Sequence, residues 1–332
     1  MHPTVSIIIP CLNEEKRIKF LLDALIIQTY PKDRMNITIA DGFSTDGTRE
    51  IIKNFQEKNP ELKISVIDNT VGTIPAGLNF AINNSKGEII LRLDAHSAPY
   101  PDYVERSVQC LEDNKGDNVG GIWEIKPGAD TIFGRSIAAA ASHPLGVGDA
   151  YYRHASSSSL VDTVPFGCYR RKLVETVGLY DETLLANEDY EFNARIRKYS
   201  GKIWLDSAIR SIYYSRPDLL SLAQQYFRYG FWKYKMLQRY PKTLRWRQAL
   251  PPLFVSGLVL TFLLVLINSS FGWLLLFEVI SYFSLLLAGS ILSAVHKNDY
   301  FMLLGVPLSI ACMHFSWGSG FLVSLFSDLW KK

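Results

Sequence analysis

The chain has 332 residues, 35 Lys and Arg against 32 Asp and Glu, and is 48% hydrophobic. That length holds two ordinary domains and excludes a disulfide-stapled miniprotein. Only Glu278, Lys297, Asp299, Asp328, Lys331 and Lys332 are charged after Ala249, so a polar stretch is followed by one composed for lipid, which excludes a purely soluble protein.

Residues 5–10 are a β-branched run closed by proline, which predicts a buried parallel strand. Residues 14–28 place Ile18, Leu21, Leu22, Leu25 and Ile26 at helical spacing. Strands follow at 36–40, 63–68 and 88–93, with helices at 48–58 and 75–84 between them. This alternation predicts an α/β layer with a mostly parallel sheet, whose ligands bind at the carboxyl ends of strands. The polar clusters CLNEE, DGFSTDG and DAHS each follow directly on a strand. Further on, 119–125 and 203–205 read as strands, 130–141 as a small-residue helix, and the Gly/Ser-rich 143–159 as a mobile loop.

Residues 216–249 carry eight basic residues and one acid, whereas residues 1–215 carry 24 basic and 28 acidic. Nucleic-acid binding is excluded because the globular part has no basic excess. A basic block beside a lipid segment fits anionic headgroups and the positive-inside rule, with membrane lipids as partners. The helix at 219–240 is aromatic and basic, suited to a membrane interface and equally to packing on the domain.

Three apolar segments, 253–267, 273–295 and 301–326, are each long enough for a hydrocarbon core of roughly 30 Å. The basic block and His296–Lys297 set those ends in the cytoplasm, leaving Lys331 and Lys332 outside if the third segment crosses. Pro307 and the SWGSG stretch at 316–320 leave a broken or re-entrant third segment open. Cys11, Cys110, Cys168 and Cys312 lack metal-site spacing and read as reduced thiols of a cytoplasmic domain. The first ten residues lack the pattern of a signal peptide.

Asp94 and His96 stand two apart at a strand exit, where on an extended segment both can face one divalent ion, Mn²⁺ or Mg²⁺. Such a cation neutralises a diphosphate leaving group. An Asp capping the turn beside a surface His is the bland alternative. Asp41 closes a strand before a Gly-rich turn, so it either accepts hydrogen bonds from a nucleotide or makes an Asx-turn. Asp46 caps the next helix, and Asn13 and Glu14 stay ambiguous in the same way. Glu188, Asp189 and Glu191 open a helix, as a general base or as charges complementing its dipole. Spacing alone does not bring position 189 to position 94.

In order, VSIIIPCLNEE, IADGFSTDGT, GEIILRLDAHS, GCYRRKLVETVGLYDETL, NEDYEFNARIRKYSG and QQYFRYGFWKY resemble family 2 glycosyltransferases of GT-A fold, from about residue 5 to 235. GVGDAYYR and the apolar C-terminal segments make the chain similar to the bacterial exopolysaccharide branch, which includes succinoglycan glucosyltransferases. The resemblance implies a catalytic domain at 1–215, an interfacial segment at 216–249 and a transmembrane domain at 250–332. It implies that Pro10, Asn13, Glu14 and Asp41 line the nucleotide pocket. Asp94 and His96 would occupy the DxD position, contacting the nucleotide sugar and metal. Asp189 would be the general base and Glu188 would lie near the acceptor. Gln225 and Arg228 stand where related synthases have QxxRW, and would steady the diphosphate. Tyr229 in place of that Trp argues against a processive synthase. The implied activity is an inverting, metal-dependent hexosyl transfer from a nucleotide-sugar donor, with UDP first, to a lipid-linked glycan acceptor at the inner face of the plasma membrane. Polysaccharide-assembly proteins would be further partners. The alternatives are a polyprenyl-phosphate sugar synthase and a non-catalytic nucleotide-sugar-binding scaffold.

Overall fold

The β-branched run at the start of the chain is buried from end to end, and it forms the central strand β1 (Val5–Cys11). The computed structural model describes residues 2–329, apart from the side chains of Leu292, His296 and Lys297. Lys331 and Lys332 lie outside the described residues. β1 pairs in parallel with β2 (Met35–Asp41) on one side and with β4 (Ile89–Arg92) on the other. β2 pairs in parallel with β3 (Lys63–Asp68), and the register sets Asp41 opposite Asp68. Helices α1 (Ile18–Ile26), α2 (Thr48–Lys58) and α3 (Ile74–Asn83) make the crossovers.

Beyond β4 the sheet continues into antiparallel strands. Its order is β3-β2-β1-β4-β8-β6-β9-β5, where β5 is Ser97–Pro99, β6 is Asn118–Lys126, β8 is Cys168–Arg170 and β9 is Ile203–Tyr214. The two-residue β7 (Ser159–Leu160) pairs with β9. Helix α4 (Tyr103–Glu112) follows β5, while α7 (Arg171–Val177) and α8 (Glu188–Lys198) lie between β8 and β9. One apolar core gathers Ile7, Ile9, Leu21, Leu25, Ile37 and Val104, and a second gathers Ile8, Leu78, Ile90, Phe192 and Ile196. The alternation predicted an α/β sheet, and the resemblance implied the GT-A form that this sheet takes.

The chain divides into two units, Met1–Glu124 with Tyr151–Tyr213, and Ile125–Ala150 with Tyr214–Lys332. The division differs from the expected boundary at 215, because residues 125–150 belong with the helical unit. That unit holds α5 (Ile132–Ser142), α6 (Pro144–Val147), α9 (Leu219–Arg239), α10 (Trp246–Ile267), α11 (Gly272–Lys297) and α12 (Met302–Leu329). The last three are long and apolar enough to cross a membrane.

Two expectations change in this region. The loop expected to be mobile at 143–159 instead contains α6 and β7, and Asp149 accepts from Arg245 at 2.9 Å and from Arg247. The third apolar helix runs unbroken through Pro307. A proline cannot donate to the carbonyl four residues back, and neighbouring helices fill that gap. Ser290 Oγ lies 3.3 Å from the freed Leu303 carbonyl, and Trp317 Nε1 donates at 3.1 Å to the Gln248 carbonyl freed by Pro252 in α10.

Candidate active site

The loops leaving β1 and β2 are zipped together. Asn13 adopts a left-handed φ of 53°, its N–H donates to Ser44 Oγ at 2.8 Å, and its side-chain oxygen accepts from Thr45 N–H at 2.8 Å. Glu14 N–H donates to Thr48 Oγ1 at 2.8 Å. Asp46 accepts from the N–H of Thr48 at 3.1 Å and from that of Glu15 at 3.2 Å, but the N-cap of α2 is Gly47, so Asp46 closes the turn before the helix rather than capping it. An open hollow of about 330 Å³ is lined by Asn13, Glu14, Glu15, Lys16, Arg17 and Asp46, and its lining stops short of Asp94 and Asp189.

Asp41 is fully buried and both its oxygens are engaged. Ser44 Oγ donates to Oδ1 at 2.5 Å, while Ser44 N–H and Arg49 Nε donate to Oδ2 at 3.0 and 2.5 Å. The turn reading accounts for the two Ser44 bonds, and the Arg49 bond is an ion pair from α2. Arg49 also pairs with Asp68 at 2.6 Å, and the Asp68 side chain is half exposed. Pro10 is buried at the end of β1, paired in register with Ala40.

The segment carrying Asp94 and His96 is a turn rather than an extended stretch, because Ser97 N–H donates to the Asp94 carbonyl at 2.9 Å. His96 Nδ1 lies 3.0 Å from Glu14 Oε1. With Nδ1 donating, Nε2 keeps its lone pair, which is the way a carboxylate orients a metal-binding imidazole. Asp94 Oδ1 accepts from Arg92, leaving Oδ2 available. Among the described residues, no three His, Cys, Asp or Glu side chains are grouped to hold a metal. One carboxylate oxygen and one imidazole nitrogen fit a hard divalent cation that takes its remaining ligands from a bound diphosphate and water.

Arg92 joins the two halves of the site. It ends β4, is nearly inaccessible, and donates through Nη2 to Asp94 Oδ1 at 3.1 Å and to Glu188 Oε1 at 2.8 Å. Burial alone would lower its pKa, but Asp94 and Glu188 outweigh that and hold it well above its usual value. Its Nη1 is buried without a hydrogen-bond partner. The sequence reading passed over Arg92, although an arginine closing an otherwise apolar strand two residues before an acid was a signal.

α8 starts after Asn187, whose left-handed φ of 64° turns the chain so that Glu188 and Asp189 open the helix. The dipole there favours negative charge. Asp189 accepts from Tyr190 N–H at 2.7 Å. Burial first, and then neighbouring Glu188, pushes its pKa up to about 7, against the pull of Arg92. Glu191 is excluded as a base because Arg195 holds both its oxygens, at 2.6 and 2.9 Å. Gln225 and Arg228 lie on α9 in the helical unit, where Gln225 Nε2 donates to the Tyr229 hydroxyl at 3.0 Å.

A half-parallel α/β sheet with carboxylates at its carboxyl edge and at one facing helix terminus is the arrangement of a GT-A glycosyltransferase. The model of glycosyl transferase family 2 matches residues 6–178. Succinoglycan biosynthesis protein ExoA of Rhizobium meliloti is 30% identical over 318 residues, covering 95% of this chain and 93% of that protein. A dolichyl N-acetyl-alpha-D-glucosaminyl phosphate 3-beta-D-2,3-diacetamido-2,3-dideoxy-beta-D-glucuronosyltransferase of Methanococcus voltae is 30% identical over 270 residues, covering 79% of this chain and 83% of its own. In fold, the chain is similar to the mannosyltransferase PcManGT of Pyrobaculum calidifontis, solved in complex with GDP-Man and Mn²⁺. That likeness has a TM-score of 0.62 at 18% identity, covering 100% of this chain and 88% of the other. The chain belongs to glycosyl transferase family 2.

Proposed function

We propose that this chain is a membrane-anchored, inverting glycosyltransferase that moves a hexose from a nucleotide-diphosphate sugar, a UDP-sugar first, to a lipid-linked glycan. The observation that carries the reading is the Arg92 bridge, which puts the Asp94–His96 turn and the Glu188–Asp189 helix start around one guanidinium. The acceptor class is supported by the archaeal relative, whose name specifies a dolichyl-phosphate-linked sugar. A surface-polysaccharide setting is supported by the succinoglycan relative. The membrane is the plasma membrane, with the catalytic unit on its cytoplasmic side.

Asp189 takes the proton of the acceptor hydroxyl as its oxygen forms a bond to the anomeric carbon. The bond from that carbon to the diphosphate breaks on the opposite face, so a single displacement inverts the configuration. A cation bound by Asp94 Oδ2 and His96 Nε2 would supply positive charge against the departing diphosphate. Glu14 orients His96, and Glu188 sits on the acceptor side. The diphosphate role of Gln225 and Arg228 rests on the motif likeness.

The test is nucleotide release from UDP-, GDP- and dTDP-sugars with Mn²⁺ and a total lipid extract. The expected result is release from one donor, dependent on Mn²⁺ and lost in Asp189→Asn. Retained anomeric configuration in the product by NMR overturns the single displacement.

A further inference from the structure

The three helices long enough to cross a membrane differ in what they expose. Leu253, Leu260 and Leu266 on α10, and Trp273, Phe277 and Ile280 on α11, are each more than half exposed. At 22 and 26 residues, these helices are roughly 33 and 39 Å long, enough to cross and return. α12 is longer, yet no residue from 309 to 322 is exposed. A helix that crossed as an outer member of so small a bundle would face lipid along that middle stretch.

The cover over the middle of α12 is protein, and its exposed apolar residues, Leu304, Leu308, Val323, Phe326 and Leu329, are confined to its two ends. Near its start, Arg135 of α5 pairs with Asp299 at 3.1 Å, and Ser136 lies against Gly305. At its middle, His314 Nδ1 is 2.9 Å from the Tyr282 hydroxyl of α11, and Trp317 reaches α10. Its second half runs parallel to α9. Cys312 Sγ donates to the Leu219 carbonyl at 3.4 Å, Gly320 abuts the Phe227 backbone, and Asp328 accepts from Lys235 Nζ and, at 2.5 Å, from Gln238 Nε2. Along that same length, α9 exposes Gln224, Arg228, Gln238 and Arg239. Amide and guanidinium groups are strongly disfavoured in hydrocarbon, so α9 stays at the aqueous boundary and the α12 half clamped to it stays there as well.

We propose that the surface of this chain that meets the bilayer interior is the α10–α11 hairpin alone, and that α12 is an internal strut that does not cross. The Ser269–Phe271 turn then lies on the far side of the membrane, and Asp328 lies on the side of the basic α9. This rests on the membrane-anchored reading above.

Site-directed labelling tests it in intact cells with a membrane-impermeant maleimide, on the full chain carrying Cys312→Ala. The other three native thiols are buried. Single cysteines are placed by Ser270→Cys in the hairpin turn, Ser327→Cys near the end of α12, and Lys53→Cys on the exposed face of α2, with nucleotide release confirming a folded enzyme. Position 270 is expected to label in intact cells, and positions 53 and 327 only after permeabilisation. Labelling of 327 in intact cells, with 53 protected, overturns the inference, as does a 270 site that labels only after permeabilisation. Loss of the chain from the carbonate-washed membrane pellet overturns the anchored reading itself, so the two failures are distinct.

Discussion

Burial shifts Asp189 and Arg92 in opposite directions, and only at Asp189 does it prevail. Burial and Glu188 raise the Asp189 carboxyl to about 7, so its basic form is lost as pH falls through that value. With Asp189 as the base, kcat is expected to fall about tenfold per unit below pH 7 and to level off above it, read from a pH–rate profile. Asp189→Asn should lower kcat about 10²–10⁴-fold, the span of general-base catalysis. Because the folded pKa is raised above the unfolded one, Asp189 costs stability progressively as pH rises from about 4 to about 7. The same variant should therefore melt no lower than the parent at pH 8, a combination that a merely misfolded variant does not give. Arg92 behaves the other way. Arg92→Met leaves the buried Glu188 and the part-buried Asp94 without their cation, at a cost of about 3–5 kcal/mol in denaturant unfolding. Adding Glu188→Gln should recover part of that loss. Asp94, His96, Glu188 and Asp189 were legible as motifs, but their meeting was not. The bond that joins them spans 96 positions, and no local pattern encodes it.

Where local chemistry decides an element, sequence and structure coincide. α2 and β3 occupy the expected residues, because the Asp46–Gly47 turn opens the former and the charged and Asn-containing ends punctuate the latter. Where partners decide, the reading fell short. β9 was expected to end at 205 but runs to Tyr214, since its ladder with β5 supplies hydrogen bonds that a lone strand lacks. Pro307 likewise left a broken third segment open, and the first apolar segment was expected from 253. α10 instead begins at Trp246 and α12 passes through Pro307, because donors on other helices serve the freed carbonyls. Trp317→Phe isolates the contribution of one such donor. It leaves the Gln248 carbonyl unserved between α10 and α12, which should cost about 1–3 kcal/mol of stability. Trp317→His, whose ring keeps an N–H, should recover part of it. Equal losses in the two variants by thermal melting would assign the effect to ring volume instead.

At the scale of the whole chain, the division of charge marked out the three long apolar helices before any coordinate. Two forces can hold such a protein to a membrane, and they respond differently to salt. If the basic 216–249 block on anionic headgroups carried the attachment, about 1 M NaCl would release the protein, since screening there acts within roughly 3 Å. Burial of the α10–α11 face in hydrocarbon is indifferent to salt, and the area that face exposes favours it. The parent chain is accordingly expected to stay in the pellet through a wash at about 1 M NaCl. Leu260→Arg combined with Ile280→Arg puts two cations on the exposed faces of the hairpin, each costing about 2.5–3.5 kcal/mol toward a helix centre. That sum is enough to shift a substantial fraction into the soluble pool, measured by immunoblot of pellet and supernatant. The two substitutions leave Gln225 and Arg228 on α9 untouched, and the Arg92 bridge belongs to the other unit, so donor binding by the released protein should match that of the parent. Release of the parent by salt alone would transfer the anchoring role from the hairpin to the basic block.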